Sequence, residues 1–145
     1  MTLKIVVGVD GSATARRALE WAAAEAVQRD ATLVVLHAWK IPSLAYGASG
    51  YGTLADRDEL ARAAAETLQN QLDRSDLPRL TQPAQSLRIE GPAGEAILDA
   101  AKDAELIVVG SRGHGELTQL FIGSVSQHVL HHARVPVVVV PEATE

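Results

Sequence analysis

The sequence predicts an α/β protein in which a parallel β-sheet is covered by helices on both faces. Short runs rich in Val, Ile and Leu recur along the chain, and most of them lack the polar alternation of strands that face water on one side. Longer segments between them carry apolar residues at helical spacing. Because strands alternate with helices, the pattern β-α-β-α-β-α-β-α-β favours a doubly wound sheet with right-handed crossovers.

The first half of the chain predicts two buried strands and two helices. Residues 3–9 form an apolar run, and Ser12 then offers a side-chain oxygen that caps the helix following it. Residues 32–39 form the second strand. Residues 40–53 contain Pro42 and three glycines, which indicates a long loop. The Ala-rich, charged segment 54–72 predicts a helix with one packed and one solvated face.

The second half continues the alternation. Prolines in residues 76–83 end the helix, and residues 84–90 alternate as a third strand. A short helix is expected over residues 93–103, a fourth strand over 106–109 and a glycine-rich loop over 110–115. A helix interrupted near Gly123 is expected over 117–133, and residues 135–140 form the last strand.

Composition narrows the classes of function. With 145 residues, the chain is expected to form one domain, residues 1–145. The absence of cysteine excludes disulfide frameworks, thiolate zinc sites and cysteine nucleophiles. A net charge of -5 argues against a general nucleic-acid binder, which needs a basic surface. No leader pattern is visible and no apolar run approaches the ~18 residues of a membrane span, so we expect a cytoplasmic protein without membrane partners.

Two strand ends carry the residues that suggest a ligand site. The first strand leads into Gly8-Val9-Asp10-Gly11-Ser12, and the fourth leads into Gly110-Ser111-Arg112-Gly113. In doubly wound sheets, ligands bind beyond the carboxyl ends of strands where the strand order reverses. If these two strands are neighbours, both loops face one crevice, and Arg112 adds a positive charge suited to phosphate.

A third segment, Gly123-Ser124-Val125-Ser126, precedes the helical stretch that ends near residue 133. Ser124 is expected to cap this helix, whose first N–H groups would form an anion site. Standard phosphate motifs are absent: the sequence contains no G-x-x-x-x-G-K-[ST], and no G-x-G-x-x-G follows the first strand.

The spacing Gly110-x2-Gly113-x9-Gly123-Ser124 resembles the motif of the ATP-binding subgroup of the universal stress protein family. The resemblance extends over the whole chain. It includes Val9-Asp10-Gly11-Ser12, the end of the second strand at Leu36-His37-Ala38, and the apolar runs before Gly110 and after Pro136.

The resemblance implies a Rossmann-like, five-stranded parallel sheet in the order 3-2-1-4-5, with strands 1 and 4 adjacent. It implies that Asp10 lies near the ribose and phosphate and that backbone groups of Ala38 meet adenine, although a bulkier valine is frequent at that position. The bound ligand would be ATP, with Mg²⁺ expected beside it. The remaining implied contacts are glycines that wrap the phosphates, donors at the last helix and two residues lining the crevice: Gly110, Gly113, Gly123, Ser124, Val125, Ser126, Val9 and Arg112.

The implied strand order also leaves the run Val137–Val140 at a sheet edge. An apolar edge is a template for pairing with another strand, so a homodimer through strand 135–140 is expected, as the family commonly forms.

Other interpretations remain open. A sensor that prefers AMP or cyclic AMP would use the same crevice. Alternatively, the glycine loop is purely structural and the chain is a nucleotide-free dimeric interaction protein. No catalytic residues or metal ligands are assigned. His128, His131 and His132 share a helix face, but their place near a helix C-terminus favours a structural role. No nucleophile constellation can be assembled, so at most slow ATP hydrolysis is expected.

Overall fold

The computed structural model describes residues 2–41, 54–112 and 122–143. Within these ranges, five strands form one parallel sheet in the order β3-β2-β1-β4-β5, which confirms the predicted fold. The elements are β1 Lys4–Gly8, α1 Ala13–Arg29, β2 Thr32–Trp39, α2 Leu54–Arg74, β3 Gln85–Glu90, α3 Ala93–Ala100, β4 Leu106–Gly110, α4 Ser124–His132 and β5 Val137–Val140.

The sheet separates two apolar layers. On one face, Ile5 and Val7 of β1 pack with the alanine stripe of α1 and with Leu68 of α2. On the other face, Val6 packs with Ile97 of α3 and Val129 of α4. Because the central strands are covered on both sides, their side chains are almost all buried, as their continuous apolar sequence predicts.

Helix α1 begins and ends as its sequence indicates. Ser12 is its N-cap, and the Ser12 hydroxyl accepts a hydrogen bond from Ala15 N at 3.1 Å. At the other end Asp30 adopts the left-handed conformation with φ 53°, and its N–H bonds carbonyls of the last turn. The predicted cap at Ser12 is therefore confirmed.

Several predicted boundaries are wrong by a few residues. Strand β5 begins at Val137 instead of residue 135, after Pro136, which has no N–H to donate to a ladder. Helix α3 ends at Ala100, where a tighter turn at Ala101 closes it. Helix α4 begins only at Ser124; the earlier part of the predicted helix, residues 117–121, and most of the predicted loop 40–53 lie outside the described residues.

The amino end of the sheet is tied by ion pairs. Lys4 of β1 donates to Asp103 at 2.8 Å, and this bond lowers the pKa of the Asp103 carboxyl. Arg29 at the end of α1 pairs with Glu25 and Glu105, and the hydrogen bond that Arg29 donates to Glu25 is the main reason why the pKa of Arg29 is raised. Charged groups thus close this end of the sheet, while the cavity described below lies at the other.

No helix in the part of the chain that the structure describes combines the length and hydrophobicity needed to cross a membrane.

Candidate functional site

A cavity of about 180 Å³, open to solvent, lies at the carboxyl end of the sheet. Its floor includes Val9 after β1 and Gly110 at the end of β4. These two strands are neighbours. The strand order reverses between them, because β2 and β3 lie on one side of β1 whereas β4 and β5 lie on the other. The cavity therefore occupies the switch point at which ligands bind in this architecture.

The loop after β1 is held in a defined shape by its own polar groups. The Asp10 carboxylate accepts a hydrogen bond from Ser12 N at 3.0 Å. Gly11 has φ 88°, a backbone conformation that residues with a side chain rarely adopt, so the turn requires glycine at this position. The end of β1 is further fixed by bonds to β2, in which Val9 N donates to Leu36 O and the His37 ring contacts Val9 O. Asp10 consequently lines the cavity from a constrained backbone.

Gln71 of α2 supplies a contact that sequence reasoning missed. Its side chain is only 5% exposed, and its amide oxygen accepts a hydrogen bond from Gly11 N at 2.6 Å. Its amide nitrogen donates to Ser12 O at 3.4 Å. The amide thus ties α2 to both sides of the turn beside Asp10. No local sequence signal marks this contact, because Gln71 and Gly11 are 60 positions apart.

The end of β4 and the start of α4 lie side by side. Gly123 N donates to Ser111 O at 2.7 Å, and the buried Ser126 hydroxyl donates to Gly110 O at 2.5 Å. Two hydrogen bonds therefore fasten the beginning of α4 to the end of β4. A Cβ at Gly110 would lie 2.8 Å from Thr14 Cγ2, so the close approach of α1 explains the glycine.

The beginning of α4 corrects one prediction. Gly123, not Ser124, is the N-cap, and no side chain forms a capping hydrogen bond. Ser124 is instead the first helical residue and is exposed. Because a helix leaves its first N–H groups without intrahelical partners, an uncapped start beside the cavity is suited to an anion.

Arg112 is neither a surface arginine nor an isolated charge. Its side chain is 12% exposed, lines the cavity and forms an ion pair with Glu142, which follows β5. The predicted positive charge is therefore present at the crevice, but a carboxylate accompanies it. No local sequence pattern marks this pair, since Arg112 and Glu142 lie far apart in the chain.

The other wall of the cavity is apolar. Ala38 at the end of β2 lies there with Leu36 and with Ile97 of α3. Gly8 brings β1 close to this helix, since a Cβ on Gly8 would lie 2.5 Å from Ile97 Cδ1. The cavity thus combines an apolar side with a side rich in backbone N–H groups, an arrangement that fits a ligand with a flat base and a phosphate.

The structure brings most of the predicted residues together. The predicted residues that line this cavity are Val9, Asp10, Ala38, Gly110, Arg112, Gly123, Ser124, Val125 and Ser126. Gly113 lies outside the described residues. The lining also contains residues that are not among the predicted ligand contacts: Gly8, Ala15, Leu36, Ala93, Ile97 and Val109.

Of the histidines of α4, His128 is half-buried at a helix contact, whereas His131 and His132 are exposed. The rings of His128 and His132 stack with centroids 4.4 Å apart, and the His132 ring also contacts His128 O at 2.9 Å. A Cβ on Gly94 would lie 2.5 Å from His128 Cδ2, so His128 fills the contact between α3 and α4. Among the described residues, no three histidine or acidic side chains are grouped to hold a metal ion.

Two relatives show how far the sequence similarity extends. A universal stress protein from Mycolicibacterium smegmatis is 37% identical over 140 residues, which are 94% of this chain and 47% of that protein. The chain spans about half the length of this and the other mycobacterial relatives. A universal stress protein from Thermus aquaticus is 37% identical over 142 residues, which are 94% of this chain and 96% of that protein.

Solved structures share the fold. A universal stress protein in complex with cAMP has a TM-score of 0.61 and 22% identity over 97% of both chains, a likeness that shows the fold alone. The universal stress protein from Archaeoglobus fulgidus in complex with dAMP has a TM-score of 0.55 and 26% identity, over 95% of this chain and 97% of that one.

The model of the universal stress protein family matches residues 1–141, nearly the whole chain. Together with the Thermus aquaticus relative, which the chain matches over most of both lengths, this match shows that the chain belongs to the universal stress protein family.

Proposed function

We propose that this chain is a nucleotide-binding regulatory protein of the stress response, with ATP and an accompanying Mg²⁺ as the expected ligand between β1 and β4. One observation carries the proposal: the ends of these two strands and the start of α4 meet around one cavity at the switch point of the sheet. Each of the three segments presents backbone groups to the same space.

The phosphates are expected at the α4 side of the cavity. The uncapped N–H groups at Ser124, Val125 and Ser126 offer hydrogen bonds and the positive end of the helix dipole. Arg112 adds a guanidinium, whose planar donors match phosphate oxygens. Backbone donors of this kind hold a nucleotide without making the protein basic, which agrees with the net charge of -5.

The base is expected at the opposite side. Leu36 and Ile97 form an apolar wall there, and backbone groups of Ala38 are available to the edge of the ring. The dAMP bound by the Archaeoglobus fulgidus relative supports an adenine nucleotide as the ligand class.

AMP and cyclic AMP are the alternative ligands, because the same cavity accepts a nucleotide with one phosphate. Asp10 is the one carboxylate among the described cavity-lining residues, so we propose ligand binding with, at most, slow hydrolysis of ATP. The regulatory output would be a nucleotide-dependent surface recognised by a partner protein.

We also propose that residues 1–145 act as one domain and pair into a homodimer through strand 135–140, in the cytoplasm. Support comes from the position of β5 at the edge of the sheet, where one side of its backbone has no strand beside it among the described residues. An edge of consecutive valines favours strand pairing with a second copy.

The test of the nucleotide proposal is calorimetric titration of ATP, AMP and cyclic AMP into the wild type and two variants. Ala38→Trp fills the apolar side of the cavity and should lower nucleotide affinity by roughly tenfold or more. Ala63→Trp adds the same side chain to the exposed face of α2 and should leave affinity unchanged.

Mass spectrometry of nucleotide released from the purified wild type tests the ligand identity independently. Absence of binding for all three nucleotides, with none released on denaturation, would refute the proposal. Equal affinity in the wild type and in Ala38→Trp would place the ligand elsewhere.

A further inference from the structure

The strongest feature outside the proposed phosphate contacts is the ion pair between Arg112 and Glu142. Arg112 lines the cavity with its side chain 12% exposed, whereas the Glu142 side chain is 47% exposed. The guanidinium of this cavity-lining arginine is therefore already in contact with a carboxylate of the same chain.

The chain is anchored directly before Glu142. Ser111 N donates to Val140 O at 2.8 Å, which continues the β4–β5 ladder up to the residue before Arg112. The Arg17 guanidinium of α1 donates to Pro141 O, the carbonyl next to Glu142. These two contacts hold residues 140 and 141 beside the end of β4, so Glu142 follows from a fixed point close to Arg112.

The charge balance of the cavity changes once this carboxylate is counted. Among the residues the structure describes, Asp10 and Arg112 are the charged side chains of the lining, and they balance each other. Glu142, in contact with Arg112, brings the total of these three groups to -1. A phosphate chain that approaches Arg112 therefore competes with Glu142 for the same donors and is repelled by its charge.

We propose that Glu142 is a specificity-determining residue that weakens the binding of nucleotides in proportion to their phosphate charge. The inference rests on the proposed nucleotide site and concerns its selectivity. Because the repulsion grows with ligand charge, Glu142 lowers the affinity for ATP more than that for AMP, and it leaves adenosine unaffected. Neutralisation of the ligand by Mg²⁺ reduces the same penalty, so Glu142 also makes ATP binding more dependent on the metal ion.

The test compares the wild type with Glu142→Gln and with Glu66→Gln, which removes one negative charge from the exposed face of α2. Adenosine, AMP and ATP are titrated by calorimetry in EDTA at low salt. Glu142→Gln should raise the affinity for ATP about fivefold and that for AMP about twofold, with adenosine unchanged, as expected for the loss of one partly exposed charge near the ligand. Glu66→Gln should match the wild type for all three ligands.

The same titrations in an Arg112→Gln background show whether Glu142 acts through the guanidinium. If it does, part of the gain in ATP affinity from Glu142→Gln is lost when Arg112 is absent, because competition for the guanidinium ends while direct repulsion remains; a double-mutant cycle measures that part as coupling. A gain that persists in full would refute action through Arg112. Circular dichroism confirms that all variants are folded.

Failure of this inference is distinct from failure of the proposed function. If the wild type binds the ligands and Glu142→Gln behaves like Glu66→Gln, or gains as much for adenosine as for ATP, the role of Glu142 is refuted while the nucleotide site stands. If no variant binds adenosine, AMP or ATP, the proposed site itself is wrong and the inference falls with it.

Discussion

The amide of Gln71 shows how one side chain sets the geometry of the candidate site. Its oxygen accepts from Gly11 N, and its nitrogen donates to Ser12 O, so both sides of the turn after β1 depend on α2. Removal of a buried amide with two such partners costs free energy, because both partners lose hydrogen bonds that water does not replace.

We predict that Gln71→Leu lowers the free energy of unfolding by about 1–3 kcal/mol, because Gly11 N is left without its acceptor in a part-buried position. It should also weaken nucleotide binding, since Asp10 lies next to the released turn. Urea unfolding and calorimetry measure the two effects. Gln69→Leu, on the exposed face of the same helix, is the control and should change neither. Unchanged stability in Gln71→Leu would contradict the importance of the contact.

At the residue scale, the sequence predicts which residues line the crevice better than it predicts which side chains pair with one another. Glycines, Asp10 and Arg112 could be assigned to the crevice because they stand at strand ends, whose position in a doubly wound sheet is known in advance. Gln71 and Glu142 could not, because each reaches the site across a long separation in the chain and neither belongs to a local motif. Long-range polar pairs depend on how helices and tails finally pack.

Among the elements, the contact between α3 and α4 brings two helix starts to the cavity. Ala93 and Ser124 both line it. Directly after Ala93, Gly94 lets His128 of α4 pack against the α3 backbone. The absence of a side chain at Gly94 therefore sets the distance between these two helices.

We predict that Gly94→Ala destabilises the protein by about 1–3 kcal/mol, because its Cβ would lie 2.5 Å from His128 Cδ2 in a packed contact. The double variant Gly94→Ala, His128→Ala should recover much of this loss, since the colliding ring is gone. Thermal unfolding of both variants and of His128→Ala alone measures the effect. A more stable Gly94→Ala, as helix propensity alone favours, would show that the helices separate freely.

Element boundaries could be predicted where the local signal is unambiguous. The apolar run of β2 matches residues 32–39 without error, and the Ser12 cap locates the start of α1. The start of α4 could not be located, because a glycine N-cap leaves no side-chain oxygen to mark it. The glycine spacing that ends at Gly123-Ser124 did mark this position, but it is a motif for a predicted ligand contact and carries no signal for a helix boundary.

Across the whole molecule, the two ends of the sheet differ in chemistry. Ion pairs such as Lys4–Asp103 close the amino end, whereas the carboxyl end holds the cavity. The two lateral edges are β3 and β5. In β5, successive valines pack into opposite core layers, with Val138 in one and Val139 in the other. A charge at either position would disturb the core, so a test of the edge must act on the backbone.

We predict that Val139→Pro converts a homodimer into a monomer. The carbonyls of Pro136 and Val140 accept from β4, so alternation along the strand directs the N–H of Val139 away from β4 and toward the open edge. Proline removes that donor, and an outward-facing position on an edge strand tolerates it. Size-exclusion chromatography with light scattering measures the mass. The control is Ser86→Pro in β3, at the opposite edge of the sheet. If the dimer pairs through β5, this variant should remain a dimer. A Val139→Pro dimer would refute pairing through β5.

The two hydrogen bonds that join the start of α4 to the end of β4 have a further consequence. Ser111 O accepts from Gly123 N and Gly110 O accepts from the Ser126 hydroxyl, so the first turn of the helix and the end of an inner strand form one unit. The direction in which the first N–H groups of α4 point is therefore inherited from the sheet. Through these bonds the most buried layer of the protein determines where its surface can receive an anion.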